Sequence, residues 1–222
     1  MSRWLAAAWP LVRDHLPPPP ARVLDLGCGG QGGFVPALLA DGFDAVGVDP
    51  AAPDGPHYVR SEFERADLPT SLDAVVASLS LHHVAHPAAI IDRIAALLAL
   101  GGTVVVLEWA SERMDEETAR WCFERLGPDD APTWLHRRRD GWQASGKAWP
   151  RFLRDWATEH GIHRGDDVVR LLDARLRRRM IDDGPYFFAD LADASEEEEQ
   201  EAIDAGRIQA ARIRWVGERR VA

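Results

Sequence analysis

VLDLGCGGQGGF, Val23 to Phe34, is the stretch whose reading decides the fold. Val23 to Leu26 form a short apolar run suited to a buried strand. Gly27 to Gly33 follow as a loop, and Phe34, Leu38 and Leu39 open a helix that Asp41-Gly42 closes. Glycines between the carboxyl end of a strand and the amino end of a helix let the backbone turn tightly and approach a ligand. The unpaired amides there, together with the helix dipole, favour anionic or polar groups. In an open α/β sheet this crevice is where ligands bind.

Outward from the loop, short apolar runs alternate with longer amphipathic stretches, the pattern of βαβ units around a mostly parallel sheet. Val46 to Val48 make a second strand ending at Asp49-Pro50, Tyr58-Val59 a third, and Leu72 to Ala77 a fourth that continues into Ser78 to Val84. Ile90, Ile91, Ile94, Leu97 and Leu98 mark a helix stopped by Gly101-Gly102, and Thr103 to Leu107 form a fifth strand ending at Glu108. Before the loop, Trp4, Leu5, Ala8, Trp9, Leu11 and Val12 follow a helical period until the Pro17 to Pro20 run, a stiff spacer. In the tail, Ser195 is a helix N-cap, Glu196 to Glu198 suit the positive helix end, and Gly206 fits the C-terminal cap. Arg207 to Val216 alternate as a last strand, and a preceding strand is expected around Ala174 to Ile181.

The 222 residues and 24.6 kDa accommodate one sizeable core, so a single domain over 1–222 is expected, with residues 1–20 as helix and proline-rich spacer. Hydrophobic residues make up 46% and charged residues 28%, a globular composition, and no apolar run approaches the roughly 20 residues a bilayer crossing needs. Met1 to Leu16 lack the basic start and continuous apolar stretch of a secretory signal. Cys28 and Cys122 are the sole cysteines, and Cys28 lies in the glycine loop, so a reducing, cytoplasmic location is expected. A net charge of -10 repels phosphate backbones, which argues against nucleic acid as a partner. The basic cluster Arg175 to Arg179 reads as a solvated face.

Gly27-x-Gly29-x-x-Gly32 with Asp49 some 20 residues on matches the dinucleotide fingerprint formally. Asp25 argues the other way, because a carboxylate two residues before the first glycine repels a pyrophosphate and welcomes an ammonium group. S-adenosylmethionine carries an ammonium, a sulfonium and a nucleoside but no phosphate, so one acid near its amino acid end and another at its ribose is sensible electrostatics. The competing reading of Asp25 is a capping carboxylate that binds only the loop amides, and that of Asp49 a turn residue before Pro50.

Residues 22 to 108 resemble the Rossmann-like class I S-adenosylmethionine-dependent methyltransferases. LDLGCGG at Leu24 to Gly30 is similar to that family's glycine motif, VGVDP at Val46 to Pro50 to its acidic ribose motif, LDAVVASLSLHHV at Leu72 to Val84 to its fourth-strand segment, and LALGGTVVVLEW at Leu98 to Trp109 to the passage into its fifth strand. Gln31 departs from the usual third glycine of that motif, with Gly32 displaced by one. The resemblance implies a doubly wound, mostly parallel seven-stranded sheet with helices on both faces, an antiparallel last strand, and a substrate-side helical cover at 111–165 inserted after the fifth strand. It implies S-adenosyl-L-methionine as cofactor, with Asp25, Gly27, Cys28 and Gly29 at the methionine part, Asp49 and Pro50 at the ribose, Glu62 and Phe63 at the adenine, and Ser78 beside the sulfonium. Glu64 and Asp67 are alternatives to Glu62.

Methyl transfer from a sulfonium is an in-line displacement, so the protein's task is to align nucleophile, methyl and sulfur and to exclude water. A base is needed only when the acceptor arrives protonated, and His82 and His83 are the candidates; the alternative is that one packs below the loop and the other bonds backbone. His136, His160 and His163 lack metal-ligand spacing with Cys122, so no metal is expected, and surface or substrate-lining places are expected for them. Trp121, Trp134, Trp142, Trp149 and Trp156 either roof an acceptor pocket or form the core of the cover, and Tyr186, Phe187 and Phe188 read as core. The expected activity is methyl transfer to an oxygen or nitrogen of a small-molecule acceptor by a monomer or homodimer with no membrane partner. A nicotinamide-dependent oxidoreductase and a non-catalytic binding module are the rivals.

Overall fold

A computed structural model describes residues 2–130 and 132–220; residues 1, 131, 221 and 222 lie outside it. The described residues divide into two compact units, one within 2–108, 166–182 and 214–220, the other within 109–130, 132–165 and 183–213. In chain order the elements are α1 (Arg3–His15), β1 (Arg22–Leu26), α2 (Val35–Ala40), β2 (Asp44–Asp49), β3 (Tyr58–Arg60), β4 (Leu72–Ser78), α3 (Pro87–Leu97) and β5 (Leu98–Trp109). They continue as α4 (Glu116–Phe123), α5 (Trp134–Ser145), α6 (Trp149–Glu159), α7 (Gly165–Arg175), β6 (Arg177–Gly184), α8 (Glu196–Asp204) and β7 (Arg212–Glu218). No helix among the described residues is long and apolar enough to cross a membrane.

The seven strands form one sheet in the order β3-β2-β1-β4-β5-β7-β6. β1 pairs in parallel with both β2 and β4, β2 with β3, and β4 with β5. The order reverses at β1, which puts the crevice at the carboxyl ends of β1 and β4. β7 runs antiparallel to β5, since Arg219 N donates to Gly102 O at 2.9 Å near one end of each. It is antiparallel to β6 as well, where Arg177 pairs with Glu218 and Arg214 with Asp182. β1 and β4 read as near-continuous apolar runs because central parallel strands are covered on both faces; Val23, Leu24, Val75 and Val76 have no exposed surface.

Three boundaries differ from the sequence reading. α3 ends at Leu97, ahead of Gly101-Gly102, and these glycines lie in an irregularity of β5: the register steps from Leu72↔Leu98 to Ala74↔Thr103. β6 starts at Arg177, later than Ala174, because α7 persists to Arg175. The last strand runs Arg212–Glu218, since Arg207 to Ala211 are still occupied in leaving α8. Ser195 caps α8 as read, in a reciprocal box with Glu198. Within the cluster at the edge of the sheet, Arg177, Arg178 and Arg179 are exposed and Arg175 pairs with Asp92 at 2.6 Å.

In the second unit Trp121 and Trp149 are buried, whereas Trp134, Trp142 and Trp156 are half-buried. The five tryptophans are thus divided between core and surface. Tyr186, Phe187 and Phe188 are buried, and their three amides all donate to the carboxylate of Glu199, at 2.7, 3.1 and 2.6 Å. His136 corrects its expected surface or substrate-lining place. It is buried, accepting from Thr133 N through Nδ1 (3.0 Å) and donating to Gly127 O through Nε2 (3.0 Å), so it closes the N-terminus of α5.

Candidate active site

A cavity of about 730 Å³ opens over the carboxyl ends of β1, β2 and β4. Gly27 from the glycine loop, Asp49 and Pro50 from the end of β2, Glu62 and Phe63 from the segment after β3, and Ser80 and His83 from the segment after β4 all line it. The first glycine must be glycine here. Gly27 has φ +80°, and a Cβ on it would lie 2.5 Å from Ser80 Cβ, inside any tolerable contact. Asp49 turns one carboxylate oxygen, Oδ1, to Ala51 N at 2.7 Å, while Oδ2 has no partner among the described residues. Asp49 lines the cavity, and its second oxygen is available to accept from a hydroxyl.

Cys28 and Gly29 face elsewhere. With Gly30, Gln31, Gly33 and Pro36 they border a second cavity of about 330 Å³, whose opposite wall is Ser2 and Leu5 at the start of α1. Among the contacts that hold α1, Trp4 Nε1 donates to Ser78 Oγ at 3.1 Å, the Trp9 ring stacks on Phe34 with centroids 6.1 Å apart, and Arg13 pairs with Asp41 at 2.6 Å. The Ser78 hydroxyl thus serves α1 and lines neither cavity.

Asp25 is also absent from both cavity walls. Its carboxylate is 1% exposed and lies beneath the loop, with Oδ2 accepting from Phe34 N at 2.6 Å. A Cβ on Gly33 would fall on that oxygen, so the loop closes over the carboxylate only because Gly33 has none. Desolvation, partly opposed by the Phe34 amide and reinforced by the Asp49 charge, raises the Asp25 pKa to about 7. Its burial beneath the loop and its raised pKa weaken the repulsion of pyrophosphate that the sequence reading gave it. The acids that face the main cavity are Asp49, Glu62 and Glu64.

The segment after β4 is shaped by Glu108, a residue the sequence reading noted only as a strand end. Its Oε1 accepts from Ser80 N (3.0 Å) and Leu81 N (2.6 Å), and its Oε2 from His82 Nδ1. Leu79, with φ +54°, supplies the reversal that turns these donors back onto the end of β5. His82 is 3% exposed and locked to Glu108, whereas His83 is exposed and lines the cavity; the two rings are 4.0 Å apart. Desolvation and the His82 ring lower the His83 pKa to about 4, so the imidazole is neutral at pH 7.

Arg93 of α3 does for the wall formed by Glu62 to Arg65 what Glu108 does for this one. Its guanidinium donates to the carbonyls of Glu64 and Ala66 and covers the Phe63 ring, 5.1 Å from the centroid. No local signal marks Arg93 or Glu108, because their partners lie 26 to 29 residues away.

A family model described as a methyltransferase domain matches residues 1–162. The chain therefore belongs to that family, and its fold is that of the class I S-adenosylmethionine-dependent methyltransferases. Among solved structures it is similar to an S-adenosylmethionine-dependent methyltransferase from Mesorhizobium loti, at 20% identity over 96% of this chain and 98% of that one, with a TM-score of 0.56. It is similar to the geranyl diphosphate C-methyltransferase of Streptomyces coelicolor, solved with S-adenosylhomocysteine, at 16% identity over 97% and 80%, with a TM-score of 0.55. The N-methyltransferase NodS of Bradyrhizobium japonicum, also solved with S-adenosylhomocysteine, follows at 13% identity over 90% and 79%, with a TM-score of 0.50. No curated protein matches. The nicotinamide reading of the glycine loop is overturned by the family match.

Proposed function

We propose that the 730 Å³ cavity holds S-adenosylmethionine and that the enzyme passes its methyl group to an oxygen or nitrogen of a small-molecule acceptor. The observation that carries this reading is the convergence of Gly27, Asp49, Glu62 and Phe63 on one cavity wall with a free carboxylate oxygen at Asp49. When bound, the cofactor supplies an electrophilic methyl on a sulfonium. The residues suit it: Asp49 accepts from the ribose hydroxyls, Phe63 offers an apolar edge and Glu62 an acceptor to the adenine, and Gly27 keeps the loop backbone within reach of the methionine end. Cys28 and Gly29 shape that loop from its α1 side. Asp25 acts through the loop, holding Phe34 N and so the start of α2. Ser78 ends β4 and fixes α1 through Trp4.

The acceptor side of the proposal rests on His83, whose neutral ring edges the cavity, and on Leu79 and Val84 beside it. His82 positions His83 by its bond to Glu108. The fold does not choose the acceptor atom, since it is shared by enzymes whose names specify carbon and nitrogen.

The test is a calorimetric titration of the purified protein with S-adenosylhomocysteine and, separately, NADH, followed by incubation with methyl-labelled cofactor and a metabolite extract. Binding of the thioether, none of NADH, and label in a small molecule are expected. Binding of NADH alone defeats the proposal; label only in macromolecules defeats its acceptor class.

A further inference from the structure

The second unit contains a buried cation without a counter-ion. Arg138, on α5, is 9% exposed, and its Cζ lies 3.3 Å from the centroid of the Trp156 ring on α6. Among the described residues its guanidinium makes no ion pair and no hydrogen bond. Nε is sealed from solvent without an acceptor, and the two terminal nitrogens, equally unpartnered, retain access. Burial and the neighbouring Arg137 charge lower its pKa only to about 10, so the group stays charged at neutral pH.

Three of the carboxylates nearby in sequence are engaged by other cations. Asp129 and Asp140 each accept from Arg139 at 2.8 Å, and Asp155, next to Trp156, accepts from Lys147 at 2.7 Å. A stack on an indole face recovers only part of the cost of taking a guanidinium out of water, and an unpaired buried charge is otherwise strongly disfavoured. The surroundings are aromatic, with one carboxylate, that of Asp190, accepting from Trp134 Nε1 at 2.8 Å. Trp134 precedes Arg138 by four residues and so shares its face of α5. Trp109 lies 5.3 Å from Trp134 and 6.2 Å from Trp156 between ring centroids, the His160 ring stacks on Trp156 with centroids 4.9 Å apart, and Trp134 and Trp156 are half-buried residues.

We propose that Arg138 recognises the oxyanion, a carboxylate or a phosphate, of a small ligand whose apolar body lies beside Trp134. A guanidinium fork is the side chain best matched to either group, and a dry setting strengthens the pairing. The anion site belongs to the second unit and does not rest on the transferase reading above.

The experiment titrates the whole protein with phenylacetate, phenyl phosphate and the neutral phenylacetamide, following tryptophan fluorescence, alongside S-adenosylhomocysteine by calorimetry. One of the two anions should bind at least about tenfold more tightly than the amide, the ratio a single charge-assisted pair supplies, and which one identifies the group. Arg138→Met should erase that preference without lowering the melting temperature, because it removes an unpaired charge and keeps the apolar stem. Arg138→Gln, polar and uncharged, covers the case in which the methionine variant does not fold. Equal binding of all three probes, binding of none at millimolar concentration, or a preference that survives loss of the charge overturns the site. Failure of S-adenosylhomocysteine to bind, with the anion preference intact, overturns the transferase reading instead.

Discussion

His82 donates through Nδ1 to Oε2 of Glu108, tying the turn after β4 to the end of β5. The same carboxylate takes the amides of Ser80 and Leu81, so three donors of one cavity wall depend on one buried side chain. Glu108→Ala leaves all three without an acceptor and should cost on the order of 3 kcal/mol or more of stability. Glu108→Gln retains one acceptor oxygen and should cost less. If S-adenosylhomocysteine affinity does not fall in a folded Glu108→Gln protein, the turn does not shape the cofactor wall.

Gly27→Ala places a methyl group against Ser80 in a backbone conformation that L-residues adopt at a cost of roughly 1–2 kcal/mol. Relief requires the loop and the turn after β4 to part. Calorimetry should show S-adenosylhomocysteine binding weakened about tenfold or more, with far-UV circular dichroism unchanged, since the sheet lies below the contact.

Asp49→Ala removes the free Oδ2 acceptor and the local bond to Ala51 N. A loss of about 1.5–3 kcal/mol, the range for hydrogen bonds to charged groups, corresponds to a rise in the dissociation constant of some 10- to 150-fold. Adenine alone, which lacks the ribose, should bind both proteins equally, and a loss for adenine as large as that for the nucleoside would count against the assignment.

Asp25 sets a pH dependence whose sign follows from its raised pKa. The unfolded carboxyl releases its proton near pH 4 and the folded one near 7. Between those values the folded state holds more protons, so this group's contribution makes stability fall as pH rises from about 4 to 7 and level above it. Asp25→Asn keeps an acceptor for Phe34 N and abolishes the titration. The decline between pH 4 and 7 should shrink by on the order of 2–4 kcal/mol in denaturant melts. Parallel profiles for the two proteins would mean that the carboxyl is not desolvated.

His83 is held neutral over the physiological range, with its pKa lowered to about 4. A rate profile governed by His83 should therefore be flat between pH 6 and 8, and His83→Ala should lower turnover without moving the profile. An inflection near 6.5 that the substitution removes would contradict the lowered pKa. Undiminished turnover would exclude His83 from the reaction.

The alternation from β1 to β5, the glycine loop, Asp49 at the end of β2 and the capped α8 were legible because each rests on residues a few positions apart. Period, turn chemistry and capping are local physics. α3 and β5 were misjoined at Gly101-Gly102 because a glycine pair signals a break of either element, and here it interrupts the strand. Asp25 was recognisable as important, but its direction was not: whether a carboxylate at a strand end points into the crevice or under the loop depends on Gly33, eight residues on.

Local periodicity and turn-forming residues by themselves determined βαβ units around a mostly parallel sheet with its crevice beside Gly27, because those signals need no distant partner. Only the tertiary structure decided that Glu108 and Arg93 build the cavity walls and that Arg138 is left without a counter-ion. Hydrogen-bond pairing and desolvation belong to the folded surroundings of a side chain, and its neighbours in the chain do not specify them.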